Sequence, residues 1–177
     1  MRDTGFMTPA LGQPAPDFTL PGIIGAERRS LTLSEARGSS VVLAFYPGDN
    51  TPVCTRQLCS YQDDLGALTA LDAQVWGISS QDVDSHERFA AKRGLTFPLL
   101  ADTDRAVQKL YGVAGPLGHT KRSIFVIDPA GVLRWSHISL LGVTYQDTAA
   151  IAAALRTSQS PYPSSTAVDP TPRARKR

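Results

Sequence analysis

The sequence predicts an α/β domain in which helices flank a central mixed β-sheet. Three observations carry that expectation. Val41–Tyr46 is an unbroken apolar, β-branched and aromatic run, the mark of a strand buried on both faces. Strand-like and helix-like segments alternate after it, and a hairpin signal, Asp128-Pro-Ala-Gly131, lies late in the chain. With 177 residues, 42% of them hydrophobic, the chain is long enough for one sizeable core.

The elements follow in order. Asp17–Leu20 and Arg29–Leu33 alternate as short strands near an edge, and Ser34–Arg37 forms a helical turn closed by Gly38. The buried strand Val41–Tyr46 is stopped by Pro47 and Gly48. Asp49, Asn50 and Thr51 are capping residues followed by Pro52, a pattern that opens a helix. That helix is expected to run from Pro52 to Leu71, with Leu58, Tyr61, Leu65, Leu68 and Leu71 on one side. Then come a strand at Gln74–Ser79, a helix at Val83–Arg93 closed by Gly94, a strand at Phe97–Leu100 and a helix at Thr103–Tyr111 closed by Gly112. Ser123–Ile127 and Val132–His137 form the hairpin, and Thr144–Arg156 the last helix.

Composition excludes several classes of function. The longest apolar run has six residues, Val41–Tyr46, far below the eighteen or so of a membrane span, so no membrane is expected as a partner. Met1–Pro16 lacks the basic and apolar stretches of a secretory leader, and a cytoplasmic protein is expected. The net charge of +2 belongs to the end of the chain, where Arg173, Arg175, Lys176 and Arg177 face only Asp169. The remainder is slightly acidic and offers no basic face for nucleic acid. Residues 157–177 are expected to be a disordered, basic, proline-rich tail, because they have almost no large apolar side chains to offset the entropy of ordering. Residues 1–10 are expected to be a flexible lead-in, leaving 11–156 as the folded domain.

No metal or cofactor is expected. Two cysteines and three scattered histidines make a poor zinc site, and His86, His119 and His137 are each expected on the surface or in a loop. Gly112, Gly115 and Gly118 follow a helix instead of linking strand to helix, so they do not form a nucleotide loop.

The informative stretch is F-Y-P-G-D-N-T-P-V-C-T-R-Q-L-C, residues 45–59. It places Cys54 in the first turn of a helix, where free backbone N–H groups and the helix dipole stabilise a thiolate. Thr51 is expected to aim its hydroxyl at the same turn, and Pro47 to shield the sulfur from water. From the residues alone, an inert buried thiol beside an ordinary threonine cap stays open. Cys59, five residues on, lies about 7.5 Å further along the helix and roughly 140° around it. The two sulfurs therefore cannot bond while that helix is intact. The spacing C-x-x-x-x-C also departs from the C-x-x-C of thioredoxin-type oxidoreductases.

Pro47, Thr51 and Cys54 match the P-x-x-x-T-x-x-C signature of peroxiredoxins, the AhpC/TSA family. With Cys59, the chain resembles the bacterioferritin-comigratory-protein or Q-type branch of that family. The resemblance runs from about Leu11 to Leu155 and includes G-x-x-A-P-D-F at Gly12–Phe18 and R-S-I-F-V-I-D at Arg122–Asp128. It implies a thioredoxin-like fold and an antioxidant thiol peroxidase that reduces hydrogen peroxide and organic hydroperoxides. It further implies Cys54 as the peroxidatic cysteine, Cys59 as the resolving cysteine, and Thr51, Pro47 and Arg122 as the residues around the peroxide. An intramolecular disulfide recycled by thioredoxin or a similar dithiol, in a monomer or weak dimer, completes what the resemblance implies. Val53 replaces the Gly common in this branch, Gln57 the Glu that would hold the arginine, and Gln62 an Arg. A non-enzymatic redox sensor would use the same cysteine and differ only in turnover.

Overall fold

The computed structural model describes residues 8–139 and 144–159. Its frame is a seven-stranded mixed sheet built around β3 (Ser40–Phe45), every residue of which is buried. The other strands are β1 (Thr19–Ile24), β2 (Glu27–Thr32), β4 (Ala73–Ser79), β5 (Leu99–Ala101), β6 (Ser123–Ile127) and β7 (Leu133–Ile138). Their order across the sheet is β2-β1-β5-β4-β3-β6-β7. β3, β4 and β5 run parallel, whereas β1, β6 and β7 join antiparallel to their neighbours.

The helices are α1 (Pro52–Asp63), α2 (Leu65–Thr69), α3 (Val83–Arg93), α4 (Ala106–Leu110) and α5 (Thr148–Gln159). Alternation along β3 divides the interior into two cores. Val42, Ala44 and Tyr46 pack with Leu58, Tyr61, Leu68, Phe89, Ile151 and Leu155 from the helices α1, α2, α3 and α5. Val41, Leu43 and Phe45 pack on the opposite face with Phe18, Trp76, Tyr111 and Phe125. A continuous apolar run is thus required in β3, because both of its faces are interior.

The strands β1, β2 and β5 are shifted at their ends by one to four residues from the expectation, and three helices differ from it, each for a local reason. The helix expected over Pro52–Leu71 breaks at Asp64, which adopts φ −97° and ψ 9° between α1 and α2. The run Asp63-Asp64-Leu65-Gly66 combines residues that favour caps with a glycine that weakens a helix interior. α4 starts at Ala106 instead of Thr103 because the Asp102 carboxylate accepts the N–H groups of Val107 (3.1 Å) and Gln108 (2.8 Å). α5 starts at Thr148 instead of Thr144, where Asp147 accepts the Ala150 N–H at 2.8 Å as an N-cap.

α5 also runs on to Gln159, with the Thr157 and Ser158 hydroxyls donating to the Ala153 and Leu155 carbonyls. The tail expected from residue 157 therefore begins no earlier than 160, and 160–177 lie outside the described residues. Of the expected lead-in, only residues 8–10 are described, and Thr8 lies against Gly112. No helix among the described residues is long and apolar enough to cross a membrane.

Candidate active site

The site forms where β3 ends. The chain leaves the sheet at Phe45, turns through residues 46–51 and enters α1 with Pro52 as its first residue. Cys54 is then in the first turn, fully buried, where backbone N–H groups lack partners within the helix. β6 is antiparallel to β3 with Phe45 opposite Ser123. That register sets Arg122, the residue before β6, beside the start of the turn. Residues 68 apart in sequence meet here: Arg122 Nη2 donates to Cys54 Sγ at 3.2 Å.

Arg122 is only 3% exposed, and its second amino group, Nη1, donates to Gln57 Oε1. Gln57 Nε2 in turn donates to Tyr61 Oη at 3.0 Å, and Tyr61 Oη donates to the Gln146 carbonyl at 2.7 Å. Cys54, Gln57 and Tyr61 stand at i, i+3 and i+7, so one face of α1 presents all three. Burial pushes the Tyr61 phenol well above its ordinary range, which keeps it a neutral donor. The amide of Gln57 thus orients the guanidinium where a carboxylate was absent from the sequence. A hydrogen bond from a guanidinium to sulfur is stronger when the sulfur is ionised.

The other expected site residues are less closely tied. Thr51 is the backbone N-cap of α1, with its carbonyl accepting from Thr55 N–H at 2.9 Å. Its hydroxyl does not cap the helix: it turns back and donates to the Gly48 carbonyl at 3.3 Å. The expectation that it aims at the first turn is corrected accordingly. Pro47 is half-buried in the same turn, and Cys59 is half-buried on α1, packed against the core. Both cysteines are free thiols within one continuous helix.

A second polar cluster adjoins the turn, and nothing in the sequence reading singled it out. His86, expected on the surface or in a loop, is fully buried on α3. His86, Phe89 and Ala90 share the inward face of that helix, and their spacing was the available signal. Its Nδ1 meets Asp49 Oδ2 at 2.9 Å and its Nε2 meets the Leu100 carbonyl at 3.1 Å. Asp49 also accepts from Tyr46 Oη (2.7 Å) and Ser85 Oγ (2.8 Å). Burial raises the Asp49 carboxyl, but its bonds with His86, Tyr46 and Ser85 outweigh burial and hold it below its ordinary range.

Comparison with known proteins gives the family and the fold. Residues 11–136 match the AhpC/TSA family. Chloroplastic peroxiredoxin Q of Populus jackii is 38% identical over 136 residues, covering 76% of this chain and 62% of its own length, so the match spans less than two thirds of that relative. A Coxiella burnetii relative with the provisional name peroxiredoxin bcp is 36% identical over 145 residues, 77% of this chain and 94% of its own. The crystal structure of Enterococcus faecalis AhpC superposes with a TM-score of 0.79 at 23% identity, covering 84% of this chain and 92% of that one, a likeness of fold. The chain belongs to the AhpC/TSA family and is a peroxiredoxin-type thiol peroxidase with a thioredoxin-like fold. Its similarity to the relatives named peroxiredoxin Q and bcp sets it beside that branch.

Proposed function

We propose that Cys54 is the peroxidatic thiol and that the chain reduces hydrogen peroxide and organic hydroperoxides by a two-cysteine cycle. The observation that carries this reading is the 3.2 Å bond from buried Arg122 to Cys54 Sγ in the first turn of α1. The thiolate attacks one peroxide oxygen in line with the O–O bond. A sulfur–oxygen bond forms, the O–O bond breaks, and the departing oxygen takes up a proton to leave as water or an alcohol. Cys54 becomes a sulfenic acid. Arg122 N–H groups, already held by Gln57, stabilise the charge on the departing oxygen without solvent reorganisation. Thr51 and Pro47 line the approach.

In the second step the Cys59 thiol gives up its proton and attacks the sulfenic sulfur, the departing hydroxide takes up a proton to leave as water, and a Cys54–Cys59 disulfide forms. An intact α1 keeps the sulfurs apart, so its first turns unwind for this step. Thioredoxin or a similar dithiol then reduces the disulfide by thiol–disulfide exchange. Both cysteines lie in one chain, which suits a monomer or weak dimer. Dependence on a dithiol suits the cytoplasm.

Cys54→Ser is expected to abolish peroxide reduction, and Cys59→Ser to spare the first oxidation while impairing recycling. Mass spectrometry after one equivalent of hydrogen peroxide is expected to show loss of two hydrogens in the wild type and gain of one oxygen in Cys59→Ser. Normal turnover by Cys54→Ser would overturn the assignment.

A further inference from the structure

We propose that Asp49 and His86 are positioning residues that clamp the turn carrying Pro47 and Thr51 to α3, and so set where a peroxide lies relative to Cys54. The proposal rests on the reading of Cys54 as the attacking thiol.

The clamp is built from both sides. The Asp49 carboxylate, 6% exposed, meets Tyr46 from the end of β3 and Ser85 and His86 from α3. The Asp49 N–H donates to Gln81 Oε1, so the main chain is held as well as the side chain. His86 carries the load inward. Both ring nitrogens are engaged, Nε2 with the Leu100 carbonyl and Nδ1 with the Asp49 carboxylate. The pair is therefore held at both ends of the ring, inside the core.

Burying such a polar pair is a poor route to stability, because a well-packed apolar pair does as well or better. It is a good way to fix one geometry. The turn needs fixing, since Asn50 sits at a left-handed φ of 60° and Gly48 must offer its carbonyl to the Thr51 hydroxyl. The link runs from α3 through His86 to Asp49, and from there through the adjacent Gly48 to Thr51. The bonds from Arg122 to Cys54 and Gln57 involve none of these residues.

That separation supplies the test. Asp49→Ala and His86→Leu are compared with the wild type in stopped-flow oxidation by hydrogen peroxide. Alkylation of Cys54 by iodoacetamide, which needs no peroxide pocket, is followed by peptide mass. The peroxide rate is expected to fall roughly 10- to 100-fold, the scale of a misplaced reacting group, with alkylation unchanged. Asp49→Asn is expected to recover most of the rate, because its amide can donate to a neutral His86 and still accept from Tyr46. The double variant Asp49→Ala/His86→Leu is expected to be no slower than the slower single one.

A wild-type peroxide rate in both single variants, or parallel losses of peroxide and alkylation rates, would overturn the clamp. If Asp49→Ala does not fold by circular dichroism, Ser85→Ala is read instead. A slower peroxide step with normal alkylation supports the clamp, and a wild-type rate overturns it. Cys54→Ser run beside them reports separately on the attacking thiol.

Discussion

Arg122 reaches two acceptors on one face of α1, and each bond has a separate consequence. The bond to Gln57 fixes the plane of the guanidinium, and the bond to Cys54 places a positive charge against sulfur. Removing a donor that stabilises transition-state charge typically costs about 2.7–4 kcal/mol, or a factor of ~10²–10³ in rate. Arg122→Met is accordingly expected to slow the peroxide step by that order while the melting temperature stays near the wild-type value. Stopped-flow oxidation at several peroxide concentrations checks it; a wild-type rate would shift the search to another cation. At this scale Cys54 was legible from its place after Thr51-Pro52-Val53, because the helix start is a local signal. Arg122 was legible only through resemblance. Its approach depends on the pairing of β3 with β6, and no local pattern encodes that register. The burial of His86 was signalled only by its spacing with Phe89 and Ala90, and nothing local signalled its partner Asp49, 37 residues away.

Among the elements, α1 has the most to lose. It holds both cysteines, begins with a proline and ends at Asp64 without running into α2. The break expected nowhere in the sequence has a mechanical effect: a twelve-residue helix can unravel from its N-terminus without dragging α2 with it. Opening of a terminal turn is a low-energy event beside global unfolding. Amides of Thr55–Tyr61 are therefore expected to exchange much faster in the oxidised protein than in the reduced one, while β3 and β6 keep their protection. Hydrogen exchange by mass spectrometry decides it. Equal protection of 55–61 in both states would make Cys59 a bystander. The end of β3 and the start of α1 were read correctly because apolar continuity, Pro47-Gly48 and the proline that opens the helix all act within a few residues. The starts of α4 and α5 were misplaced because the caps Asp102 and Asp147 compete with other polar residues nearby, and only the fold selects among them.

For the molecule as a whole, the described core closes with α5. Ile151 and Leu155 are fully buried, and the Thr157 and Ser158 hydroxyls bind back to its carbonyls. Truncation after Gln159 is expected to leave both the melting temperature and the peroxidase rate close to those of the full chain, given the proline-rich composition that follows. Truncation after Arg156 cuts into α5 and is expected to lower the melting temperature. Calorimetry on the two shortened proteins tests the boundary, and a drop of more than a few degrees for the longer one would show that residues beyond 159 pack.

The 68-residue interval between Cys54 and Arg122 also governs the protein's life during synthesis. At about 5–20 residues per second, Arg122 leaves the ribosome roughly 3–14 s after Cys54 does. Until β6 has followed it and paired with β3, the thiol is that of an unfolded chain, without its guanidinium and without a formed helix start. A half-made chain is thus a poor scavenger, and its thiol is spared oxidation until the fold that activates it is complete.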